Sequence, residues 1–78
     1  MRDEILAMLK ELRPEHDYAG SGDFIADELL DSFDIISLVD MLEEKYGIEM
    51  DVEDIIPDHF RTVECIADTI TKYLKGNR

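Results

Sequence analysis

The sequence predicts an all-α fold: a four-helix bundle whose third helix is short and whose first two helices are joined by a long loop. Three observations predict it. Apolar residues recur at helical spacing in separated stretches, no segment alternates over enough residues to make a strand, and Pro14, Gly47 and Pro57 stand where helices end. With 78 residues the chain has room for one domain, residues 1–78. A domain of this size buries only about 60 to 65% of the surface its unfolded chain exposes, which leaves little interior for a deep enclosed active site.

In residues 3–13, Ile5, Met8, Leu9 and Leu12 fall at the spacing that lines one helical face. Pro14 ends this first helix, because the residue before a proline is pushed out of the α region. Residues 14–30 contain Gly20-Ser21-Gly22 and five acids with no sustained period, and read as a long connection. Connections beyond about 12 to 15 residues are uncommon in compact domains unless they are functional or pinned by their own side chains. Phe24, Ile25, Leu29 and Leu30 are the candidate pins. The glycines make a turn, since phosphate-cradling loops need more glycines at set spacing.

Asp31 and Ser32 stand just ahead of an apolar-periodic run, where a side-chain oxygen accepts a bond from an unpaired first-turn N–H. The second helix is predicted over 32–46, with Gly47 as the left-handed residue that closes it. At about 100° per residue, Ile35, Leu38, Val39, Leu42 and Tyr46 share one stripe and are assigned to the core. Phe33, Ile36, Asp40 and Glu44 take the far side, with Glu43 at its edge. Single exposed apolar residues are common on folded proteins, but the place of these two beside Ser32 favours a docking patch. After a linker over 48–50, Asp51 is predicted to cap a helix of one to two turns that Pro57 closes. Thr62 caps a last helix in which Val63, Ile66, Ala67, Ile70, Tyr73 and Leu74 keep helical spacing, and Lys72 and Lys75 suit its C-terminal end.

Eight Lys and Arg against twenty Asp and Glu leave a net charge of −12. Between Arg13 and Arg61, Lys45 is the only base among fifteen acids. That excludes DNA and RNA as partners, because nucleic-acid binding rests on Lys and Arg neutralising phosphates. A basic protein surface is the natural partner, met at a rate that salt lowers. Cys65 has no second cysteine to pair with, which fits a reducing cytosol. No apolar run approaches the ~20 residues that cross a bilayer, and the N-terminus lacks the apolar segment of a secretion signal, so a cytoplasmic protein without membrane insertion is expected.

Enzyme readings fail on inventory. A Ser-His-Asp device needs an imidazole in reach of the serine, and His16 and His59, the two histidines, lie in acidic loops and read as solvated surface residues. The patterns for a zinc site and a calcium loop are absent, so no metal ligands are assigned, although crowded carboxylates attract divalent ions diffusely. Ser32 suits one role, that of acceptor for a covalently attached phosphate group, because first-turn N–H groups and the helix dipole favour an anion there. Capping alone also explains an Asp-Ser at a helix start.

The order of first helix, long acidic loop, Leu30-Asp31-Ser32-Phe33, acidic second helix, short third helix and final helix resembles the acyl carrier protein family from Ile5 to Leu74. The family's Asp-Ser-Leu motif is matched by Asp31-Ser32-Phe33. The resemblance implies an acyl-carrier-like bundle in which Ser32 bears 4'-phosphopantetheine through a phosphodiester. The thiol of that arm would hold an acyl or aminoacyl group as a thioester between enzymes. Asp31 matches the acidic residue that in the family assists the transferase installing the arm.

Phe33 replaces the usual Leu, Glu28 stands where a Gly is common four residues before the serine, and Ser37 takes a position often acidic in fatty-acid carriers. The Leu-Asp-Ser-Phe wording is closer to stand-alone carriers such as the D-alanyl carrier proteins, whose cargo is loaded by an adenylating ligase. The implied partners are a phosphopantetheinyl transferase and either an adenylating acyl or aminoacyl ligase or an acyltransferase with a basic docking surface, in fatty acid or secondary metabolite biosynthesis. They would meet Phe33, Asp34, Ile36, Asp40, Glu43 and Glu44 on a monomer. Two alternatives stand beside the carrier: an acidic helical interaction module, including a degenerate carrier that is never modified, and a small divalent-ion binding protein. The Asp-Ser heading the second helix beside Phe33 and Ile36 favours the carrier.

Overall fold

The computed structural model describes residues 1–76 and contains three α-helices: α1 (Arg2–Leu12), α2 (Ser32–Tyr46) and α3 (Val63–Gly76). No strand occurs among the described residues. α1 packs against both α2 and α3. Ile5 and Leu9 from α1, Leu38 and Leu42 from α2, and Ile66 and Ile70 from α3 are completely buried where the helices meet. Phe24 and Phe60 join them from the two connections.

Local signals place the helix ends. Arg13, just past α1, takes φ −140° and ψ 84°, outside the α region that Pro14 closes to its predecessor. Gly47 closes α2 in the left-handed region at φ 64°, where a side chain would be strained. The Thr62 hydroxyl accepts the Cys65 N–H at 3.0 Å and caps α3. Leu74, near the end of α3, stays half out of the core despite its helical spacing.

The expected short third helix is not α-helical. Two 3-10 turns, Val52–Asp54 and Pro57–Phe60, take its place. Ile56 precedes a proline and is extended at φ −128° and ψ 153°, which breaks the run. Pro57 thus opens the second turn, where its missing N–H costs nothing, instead of closing the first. The Asp51 side chain makes no cap bond, and the stretch before the break is too short to nucleate an α-helix. Its backbone is tied down by side chains: Glu43 Oε2 accepts the Met50 N–H and the Tyr73 hydroxyl accepts the Asp51 N–H, both at 2.9 Å.

Residues 13–31 hold only turns and bends. Phe24 and Leu30 are buried, and Ile25 and Leu29 pack half-buried against the core. Tyr18, which no sequence period marks as a core residue, is buried as well. Its ring meets Phe24 edge-on at 5.3 Å and its hydroxyl donates to the Leu29 carbonyl at 3.3 Å. The Phe24 N–H bonds the Arg61 carbonyl at 2.6 Å, and Arg61 Nη1 lies 3.0 Å from Asp23, so the connection is fastened to the start of α3.

Candidate functional site

Ser32 is the first residue of α2 and is exposed. Asp31 before it is extended, at φ −110° and ψ −177°, and carries the cap. Its Oδ1 accepts the Asp34 N–H at 2.8 Å, while the Asp34 carboxylate reaches back to the Asp31 N–H at 3.5 Å, closing a capping box. The Ile35 N–H bonds the Asp31 carbonyl at 3.0 Å, the first bond of the helix ladder. The N–H groups of Ser32 and Phe33 precede that bond and have no intrahelical acceptor. Both stand at the positive end of the helix dipole. The Ser32 hydroxyl makes no hydrogen bond to another described residue. The other serines differ: Ser21 donates to Asp27 Oδ2 at 2.6 Å, and Ser37 is half-buried.

The residues expected to face a partner do not share one fate. Phe33 is 73% exposed and Ile36 58%, with Asp40 and Glu44 exposed along the same side of α2. Asp34 is only 5% exposed and is not part of that surface. It lies one helical turn before the buried Leu38, at the border of the core stripe, and Arg13 Nε and Nη2 each approach its Oδ1 at 3.0 Å. That bond holds the Arg13 guanidinium above its usual pKa. Glu43 is half-buried and committed to the Met50 N–H.

Both histidines are half-buried and keep part of their surface in water, and both also make contacts within the fold. His16 lies edge-on to Tyr18 at 5.8 Å, and His59 places Nδ1 2.8 Å from the Asp54 carbonyl. Neither bonds Ser32. Asp54 is the hub of the segment before α3: the Tyr73 hydroxyl donates to its Oδ2, Lys72 Nζ lies 3.9 Å away, and the hydrogen bond from Tyr73 is the main reason its carboxyl titrates below the usual range. Two further exposed apolar residues escaped the sequence reading, Val52 at 83% and Ile56 at 39%. They stand among Asp51, Glu53 and Asp54 in a stretch too short for a helical period to mark them.

Among the described residues, no group of three or more His, Cys, Asp and Glu side chains is placed to hold a metal ion, and no helix is long and apolar enough to cross a membrane. A protein-family model described as a phosphopantetheine attachment site matches residues 3–70. Neither a curated protein nor a solved structure matches the chain.

Proposed function

The chain belongs to the phosphopantetheine attachment site family, and from that premise we propose that Ser32 bears the arm and that the protein ferries an acyl or aminoacyl group between partner enzymes. A domain of this family is a carrier and not an enzyme, and it carries 4'-phosphopantetheine covalently. The observation that carries the assignment is the exposed Ser32 hydroxyl at the mouth of α2, which bonds no other described residue.

The surroundings of Ser32 suit a phosphodiester. The first-turn N–H groups of Ser32 and Phe33 lack helical acceptors, and the dipole favours an anion. When bound, the arm supplies a terminal thiol on which cargo is held as a thioester. In the loading step the Ser32 Oγ–phosphorus bond forms as the pyrophosphate bond of coenzyme A breaks. Adenosine 3',5'-bisphosphate leaves, and the hydroxyl proton passes to the transferase. Asp31 keeps one carboxylate oxygen on the Asp34 N–H and presents the exposed carboxyl beside Ser32, where it assists the transferase.

Docking falls to the outer side of α2. Phe33 and Ile36 supply apolar anchors, and Asp40 and Glu44 speed and orient encounter with a basic surface on the transferase and on an adenylating ligase or acyltransferase. The same reading takes residues 1–78 as one cytoplasmic domain working as a monomer. The test is intact mass after incubation with coenzyme A and a phosphopantetheinyl transferase. One arm per chain is expected, and none on Ser32→Ala at unchanged helical content. An arm that persists on that variant, or maps to Ser21 or Ser37, refutes the assignment.

A further inference from the structure

A charged contact two residues from Ser32 in sequence joins two elements that sequence order keeps apart. The Arg13 N–H bonds the Leu9 carbonyl at 2.9 Å, so the Arg13 backbone belongs to the end of α1. Its guanidinium crosses to α2 and grips Asp34 Oδ1 with two nitrogens, each at 3.0 Å. Asp34 and Asp31 in turn hold one another through the capping box. Ser32 sits between those two residues, so the capping box and the Arg13 pair together tie the backbone that carries its hydroxyl to the end of α1.

Arg13 has a second effect at the same place. Asp34 lies in the first turn, two residues from the hydroxyl, where an unpaired carboxylate would repel an arriving phosphate. A buried charge without a partner is also strongly unfavourable. The guanidinium answers both. The hold of α2 on the core does not depend on this pair, because Ile35, Leu38, Val39 and Leu42 are buried along its length.

We propose that Arg13 and Asp34 are positioning residues for the modification of Ser32, holding the mouth of α2 against the end of α1 so that the hydroxyl meets the transferase in one direction. The inference rests on Ser32 being the attachment point. Neither residue touches the reacting atoms: the Oγ–phosphorus bond still forms at Ser32, and the pyrophosphate bond of coenzyme A still breaks. What the pair sets is aim, and a misplacement of about 1 Å can cost about a hundredfold in rate.

Steady-state transfer from coenzyme A, read by intact mass, tests this on the wild type, Arg13→Gln, Arg13→Lys, Asp34→Asn and the double variant Arg13→Gln with Asp34→Asn. Circular dichroism at the assay temperature establishes which variants are folded. Arg13→Gln is expected to lower kcat about tenfold with KM changed by less than about twofold. Arg13→Lys keeps the cation without the planar two-nitrogen grip and should recover part of the loss. The double variant should lose no more than the worse single variant, because the two residues act as a unit. Should Arg13→Gln fail to fold, Asp34→Asn and the double variant supply the same comparison.

Folded variants with wild-type kcat overturn the proposal, since a purely structural pair would lower the melting temperature alone. A rise in KM at constant kcat overturns it too, because Arg13 would then be a docking contact. A wild type that accepts no arm at Ser32 removes the attachment reading, and this inference with it.

Discussion

Replacing Glu28 by glycine should stabilise the fold, and comparing glycine with alanine at that position separates the backbone from the charge. Glu28 has φ 59°, the one positive φ outside glycine among the described residues. The turn imposes it: the Glu28 N–H bonds the Ile25 carbonyl at 3.1 Å, and the Leu29 and Leu30 N–H groups both reach the Phe24 carbonyl, at 2.8 and 3.3 Å. An L-residue in the left-handed region costs roughly 1 to 2 kcal/mol, which glycine avoids. Glycine gives back about 0.5 to 1 kcal/mol through the extra freedom of its unfolded chain. The remainder, about 0.8 kcal/mol in favour of Gly over Ala, corresponds to roughly 3 to 6 °C in melting temperature for a domain this small. Alanine keeps the strained φ and removes only an exposed charge, so Glu28→Ala should stay within about 0.5 kcal/mol of wild type. Thermal melts followed by circular dichroism at fixed salt measure all three proteins. A glycine variant no more stable than the alanine variant would refute the reasoning.

Two neighbouring positions on α2 should respond oppositely to truncation. Leu38→Ala empties a completely buried site and should cost about 2 to 5 kcal/mol, out of the roughly 4 to 12 kcal/mol expected for this length. Ile36→Ala should leave the melt nearly unchanged and weaken arm transfer to Ser32, as should Asp40→Lys with Glu44→Lys; unfolding of these outer variants beside a stable but inactive Leu38→Ala would reverse the two faces. Acid should act through Asp54, whose carboxyl is held below its ordinary value chiefly by Tyr73. A lowered folded pKa gives stability that is complete above the unfolded value near 4 and is lost as pH falls through the lower folded value. The melting-temperature gap between wild type and Tyr73→Phe should therefore be full at pH 6 and shrink toward pH 2; a gap constant across that range argues that the bond does not depend on the carboxylate charge.

The span of α2 was legible in the sequence to the residue. Asp31 and Gly47 mark its ends, and the spacing of Ile35, Leu38, Val39 and Leu42 names its buried side. Thr62 announces α3 in the same way. These signals are readable because caps, left-handed glycines and helical faces are interactions among residues about four apart, so the chain carries both partners in one short window. The exposed Ser32 at the helix mouth follows from the same local rules, and with it the centre of the candidate site.

Tertiary structure alone decided what those rules leave free. Whether Asp34 faces a partner or the interior depended on Arg13, 21 residues earlier, and on how α1 lies across the start of α2. One oxygen of the Glu43 carboxylate was engaged by the Met50 N–H, and Tyr18 was drawn into the core by Phe24 and Leu29. A charge at the edge of an apolar stripe can sit in water or in an ion pair, and its own neighbours do not distinguish the two. The choice is made by the partner that packing brings within about 3 Å, and that partner is specified by the fold as a whole.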